Sequence, residues 1–150
     1  MKRTVRVAVL VICVVLAALT SVAYMWFHGY FDPGRFEIKQ AQWSSSKQVA
    51  TLAERSDQEA LGGLTYFVVI GDHVPSAVEL RHAYHSNAVV FAATSTCLTL
   101  NWESPSRLVV ACKGSYLDQQ DIDVEKRKYR GVSISYVDIS PNTAETFRPK

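Results

Sequence analysis

CLTLNWESPSRLVVAC, residues Cys97–Cys112, opens and closes on a cysteine and carries a turn near its centre. Glu103-Ser104-Pro105-Ser106 reads as a four-residue loop joining a strand Leu98–Trp102 to one over Leu108–Cys112, with Arg107 at its start. Opposed residues would then be Trp102 with Arg107, Leu100 with Val109, and Cys97 with Cys112. Directly opposed α-carbons lie roughly 4.5–5.5 Å apart, inside the range a disulfide accepts. A Cys97–Cys112 bond is therefore expected. A register shift of one residue would send the two side chains to opposite faces and leave free thiols. The pair lacks Cys-x-x-Cys spacing, so the bond would be structural rather than redox-active, and an oxidising compartment would let it persist. Cys13, the third cysteine, lies far from both.

The phrase inside this hairpin, NWESPSRLVVA (Asn101–Ala111), has a counterpart in QWSSSKQVATL (Gln42–Leu52). Each has a tryptophan (Trp43, Trp102), a serine-rich turn, a basic residue (Lys47, Arg107) and an apolar run. Working outward, Phe36–Trp43, Val49–Glu54, Leu64–Ile70, Ala88–Ala93 and Gly131–Ile139 also have strand composition or alternation. Ser76-x-x-Glu79 has the spacing of a capping box and predicts one short helix, Ala77–Tyr84. About seven strands and one helix make a small, mainly-β domain, an antiparallel meander forming a sandwich or two blade-like sheets.

On Trp102, Ser104-Pro105, Arg107 and Val109, and on Trp43-Ser44 with Lys47-Gln48-Val49-Ala50, the chain resembles the TolB-like propeller repeat. Glu103 stands where that repeat has a serine, and the first copy is one residue short in its turn. The resemblance implies four-stranded blades, but seven strands cannot close a ring of four to eight blades, and it implies no activity. Tryptophan followed by a serine turn is also ordinary hairpin chemistry.

Val7–Phe27 is a run of 21 residues without a charge. As a helix it spans roughly 31 Å, enough to cross a hydrocarbon core of about 30 Å. Lys2, Arg3 and Arg6 precede it; Tyr24, Trp26 and Phe27 cluster at its far end. These features predict a single-pass anchor in the inner membrane of a cell envelope. Residues 1–6 would be cytoplasmic, 7–27 transmembrane, 28–34 a linker, 35–140 the exported, periplasmic β domain, and 141–150 a loose tail. Ser21-Val22-Ala23 offers the alternative of a signal peptide cleaved after Ala23. The formal charge of +2 belongs to this terminus: beyond it, thirteen basic residues face fourteen acidic ones. Nucleic-acid binding is not indicated.

Motifs for chemistry are thin. Ser44-Ser45-Ser46-Lys47 matches a Ser-x-x-Lys signature, yet it falls in a hairpin turn, and Ser56-Asp57-Gln58 and Lys113-Gly114 are poor partner motifs. Glu79, His82 and His85, with His73 nearby, fall short of a metal set. Asp118, Asp121, Asp123 and Glu125 lack the glycine of a calcium loop and read as a solvated acidic turn beside the basic run Lys126–Arg130. No catalytic residue, metal or cofactor is expected. The expected partners are the lipid bilayer and another protein, bound through exposed strand edges. The alternative is a small envelope hydrolase, or an inhibitor of an envelope enzyme, in which Ser44, Asp57 and one of His73, His82 or His85 would converge in a cleft.

Overall fold

An uninterrupted run of apolar residues satisfies its backbone most readily as a helix. In the computed structural model, which describes residues 2–27, 29–57 and 63–140, helix α1 covers Lys2–Phe27. Its polar groups turn inward on the helix: the Thr20 and Ser21 hydroxyls donate to the Ala17 carbonyl at 2.9 and 2.8 Å. Val9–Trp26 is long and apolar enough to cross a membrane, a test that a signal sequence also passes. The side chains of Lys2, Arg3 and Phe27, and the tail 141–150, lie outside the described residues. The chain divides into two units, Met1–Asp32 and Pro33–Lys150.

The second unit contains β1 (Arg35–Trp43), β2 (Val49–Ser56), β3 (Leu64–Gly71), α2 (Ala77–Tyr84), β4 (Val89–Ala93), β5 (Leu98–Ser104), β6 (Arg107–Cys112), β7 (Ile122–Glu125), β8 (Lys128–Tyr129) and β9 (Val132–Val137). They form a five-stranded sheet, β1-β2-β3-β4-β7, and a four-stranded sheet, β5-β6-β9-β8. Strands β2, β3 and β4 are buried almost end to end because the larger sheet is covered on both faces. Leu52, Val68, Ile70, Val90 and Phe91 pack against Leu100, Leu108, Val110, Val132 and Ile134 of the smaller sheet. On the opposite face Phe36, Ala53, Phe67 and Val69 pack under Leu80, Ala83 and Tyr84 of α2. Phe36, Phe67 and Tyr84 meet edge to face, with ring centroids 5.1–6.1 Å apart. The layers are therefore helix, sheet, sheet.

Along one seam the two sheets are joined by side chains. A bulge between Ile38 and Gln40 turns Gln40 toward β5, where its amide donates to the Leu100 carbonyl at 3.1 Å and accepts from the Leu100 N–H at 2.9 Å. The Trp102 indole donates to the Gln42 carbonyl at 2.9 Å, and the Ser46 hydroxyl donates to the Pro105 carbonyl at 2.8 Å. The two similar phrases are the hairpins β1-β2 and β5-β6, one from each sheet, meeting at this seam. Their tryptophans differ: Trp102 is half-buried against the core, whereas Trp43 is 54% exposed.

The mainly-β domain with one short helix stands as expected, and α2 occupies Ala77–Tyr84. The strands number nine among the described residues, and β6 pairs with β9 in parallel. The added strands are β7 and β8. Within the acidic stretch, Ile122–Glu125 hydrogen-bonds to β4 rather than forming only a solvated turn.

The disulfide Cys97–Cys112 is present, with α-carbons 4.7 Å apart, but the expected register is corrected by one residue. Leu98 opposes Cys112, Leu100 opposes Val110 and Trp102 opposes Leu108. Pro105 and Ser106 form a two-residue turn and Glu103 is bulged. Opposed residues in an antiparallel pair share a face, so core-facing Leu100 must meet core-facing Val110 rather than Val109. Cys97 reaches Cys112 diagonally because it sits in the turn before β5, where strand alternation does not fix its side chain. Its carbonyl accepts from the Lys113 N–H at 2.9 Å.

Closing a loop with a sequence separation of 15 stabilises a fold by about 3 kcal/mol through loop entropy. The double variant Cys97→Ala/Cys112→Ala is expected to lose about that much in urea unfolding. Reducing the wild type should lower its unfolding midpoint similarly. Alkylation without reductant should label Cys13 alone among the three cysteines.

Candidate functional site

The site begins where β3 runs out. Gly71 ends the strand, Asp72 and His73 follow, and Ser76 starts α2. The first amides of a helix lack intrahelical partners, and here the capping box supplies one. The Ser76 hydroxyl accepts from the Glu79 N–H at 3.3 Å, and Glu79 Oε2 accepts from the Ser76 N–H and hydroxyl, both at 2.7 Å. The other carboxylate oxygen, Oε1, lies 2.8 Å from His73 Nε2, and His73 Nδ1 lies 2.7 Å from Asp72 Oδ1. An imidazole between two carboxylates can donate from both nitrogens only as imidazolium. Glu79 and then Asp72 accordingly raise the His73 pKa above the ordinary imidazole range. The Ser76 amide first, then His73, holds Glu79 down at about 2.

Behind this bridge lies a cavity of about 150 Å³. Ile70, Ala83 and Ala88 wall it, and Thr51 of β2 borders it from the sheet. Thr51 is fully buried, and its Oγ1 has no hydrogen-bond partner among the described residues. A buried, unsatisfied hydroxyl costs about 1–3 kcal/mol. Arg130 and Tyr129 complete the rim from the β8-β9 turn. That turn is Arg130-Gly131, with φ of +46° and +83°, the left-handed conformation of a tight two-residue hairpin. Glycine is at ease there, whereas arginine is held at a backbone cost. The Arg130 guanidinium stacks over Tyr129 at 5.5 Å, with Lys126 over the same ring at 5.2 Å; it makes no ion pair or hydrogen bond among the described residues, and its charge acts on Asp72 through space.

The other residues singled out in the sequence lie apart. Ser44, only 8% exposed, accepts from the Gln48 N–H and bonds Ser46, so it holds the β1-β2 turn; Lys47 sits there at φ +61°. Asp57 lies past the opposite end of β2, ion-paired with Arg55 at 2.6 Å. The eight residues of β2, about 3.3 Å each, separate the two. The structure thus does not bring Ser44, Asp57 and a histidine into one cleft. No group of three or more His, Cys, Asp or Glu among the described residues is placed to hold a metal. Arg107 lies 3.5 Å from Glu103 on the hairpin surface. In the basic run, Lys126 donates to Asn87, and Arg127 pairs with Glu125 at 2.6 Å and stacks over Tyr136.

Sequence reasoning found the capping box and named His73, but it missed their connection. The adjacency of Asp72-His73 and the short loop to Ser76 were the available signals. Thr51 and Arg130 carried none, because only the packing of β2 against α2 and the return of the β8-β9 turn brings them together.

No protein-family model, curated protein or solved structure matches this chain. The resemblance to a propeller repeat therefore rests on its two tryptophan hairpins alone.

The bridge makes a definite titration. The His73 contribution is present below the ordinary imidazole pKa and is lost as pH rises through the raised one. The Glu79 contribution is present above the ordinary carboxyl pKa and is lost as pH falls toward about 2. The connection is strongest between these limits. In an NMR titration, His73 should protonate above the ordinary midpoint of about 6.5, and Glu79→Gln should move that midpoint down. An unchanged midpoint in the variant would show that the bridge does not form in solution.

Proposed function

We propose that this chain is a single-pass envelope protein whose α1 stays in the inner membrane, with a cytoplasmic amino terminus and the β domain exported. The observation that carries this reading is the combination of an apolar helix preceded by basic residues and a disulfide in the following domain. Cations tend to remain on the cytoplasmic side, and structural disulfides persist in oxidising compartments. Each supports the same orientation by different physics.

The exported domain acts by binding a protein partner. Strand addition needs an exposed sheet edge. Strands β1 and β5 turn their edges toward one another at the seam, and β8 has only two residues. Among the described residues the remaining edge is β7, Ile122–Glu125, with Asp123 exposed on it. A partner strand pairing along β7 would extend the larger sheet.

Carboxyl-terminal fusions test the orientation: alkaline phosphatase should be active there and green fluorescent protein dark, and the reverse pattern overturns it. The mature mass decides between a tether and a signal peptide, since cleavage after Ala23 would leave a chain beginning at Tyr24. A photocrosslinker at position 123 should yield a heavier adduct in intact cells at native expression. Recovery of monomer alone would overturn the strand-addition reading without affecting the topology.

A further inference from the structure

We infer that the cavity between Thr51 and Arg130 is a binding site for a short organic carboxylate bearing a second polar atom. The inference rests on the β domain alone and does not require the membrane tether. A volume of about 150 Å³ corresponds to roughly five waters, and so to a ligand with about five to seven non-hydrogen atoms.

The polar groups around the space are not equivalent. Both nitrogens of His73 are committed to Asp72 and Glu79, and both oxygens of Glu79 are committed to His73 and Ser76. These groups seal one side of the rim without offering strong new valences. Two groups make no hydrogen bond or ion pair among the described residues: the buried Thr51 hydroxyl and the guanidinium of Arg130, which stacks over Tyr129 and acts on Asp72 only through space. Between them the walls are apolar, with Ile70, Ala83 and Ala88 among them. A guanidinium selects a carboxylate by charge and by its paired donors. The hydroxyl can donate to or accept from one polar atom at the inner end. The apolar walls suit the carbon chain between the two ends. A cation is disfavoured because Arg130 stands at the rim, and the two carboxylates nearby, Asp72 and Glu79, are balanced by the His73 imidazolium together with the Arg130 charge.

The test uses the full chain in detergent micelles, titrated by NMR with 4-hydroxybutyrate, butyrate and 1-butanol. 4-Hydroxybutyrate should shift the amides of Thr51, Ile70, Ala83 and Arg130 saturably, with a Kd of about 1 mM, the order expected for so small a ligand. Butyrate should bind several-fold more weakly, and 1-butanol should be the weakest. Arg130→Gln, an exposed change, should weaken both acids about tenfold. Thr51→Val keeps the shape of the core and should abolish the preference for the hydroxylated acid. Ala83→Leu, which fills the cavity from the helix side, should remove binding of all three. Thermal unfolding and the amide spectrum establish that each variant is folded. Shifts that fail to saturate by about 50 mM, or that persist equally in the Arg130 and Ala83 variants, would overturn the assignment.

Discussion

Covering both faces of the larger sheet is the constraint on which the domain depends. Along β3, Phe67 and Val69 face α2, while Tyr66, Val68 and Ile70 face the smaller sheet. Either cover alone would leave a row of large apolar side chains in water, each costing roughly 1.5–3 kcal/mol. Helix α2 has only eight residues, too few to be stable as an isolated helix, so it persists through the packing of Leu80, Ala83 and Tyr84 and through its amino-terminal cap. The Ser76–Glu79–His73–Asp72 network is thus first a device for attaching a short helix to the end of β3. The cavity is the space left where that attachment meets the β8-β9 turn.

The two sheets are not independent layers. After β6 the chain leaves the smaller sheet, adds β7 beside β4, and returns through β8 to place β9 parallel to β6. Lys126 and Arg127 mark this return: the Lys126 amide donates to the Val90 carbonyl at 2.9 Å, and the Arg127 carbonyl accepts from the Ile134 amide at 2.9 Å. The opposite side is held by Gln40, Trp102 and Ser46. One flank is joined by the main chain and the other by side chains.

The sequence is most legible where the environment is local. Ser76 and Glu79 are three residues apart and define their helix start unaided, and the β-branched and aromatic run Leu64–Ile70 announces a buried strand. The disulfide was visible from its two cysteines, but the assumption that they face each other produced the wrong register. The alternation of Leu98, Leu100 and Trp102 against Leu108, Val110 and Cys112 sets the offset, because it keeps Leu98, Leu100, Leu108 and Val110 in the core while Cys112 still reaches Cys97. Strand β7 was obscured by its acidic residues: Asp123 is exposed on the sheet edge, whereas the Glu125 side chain is buried and paired with Arg127. The pocket was illegible for a different reason: Thr51, His73 and Arg130 lie on segments joined only by tertiary packing.

Strand β1 follows directly on the linker and also supplies the seam through Gln40 and the Gln42 carbonyl. Any tension transmitted from the amino-terminal helix therefore enters at Arg35 and passes along β1 before reaching the rest of the domain. The ladder to β2 shares that pull over many backbone hydrogen bonds, while the lateral clasp to β5 resists peeling with only a few. The domain is consequently stiff to lengthwise loading of this strand and weak to sideways loading, a mechanical anisotropy set by which strand the amino-terminal segment joins.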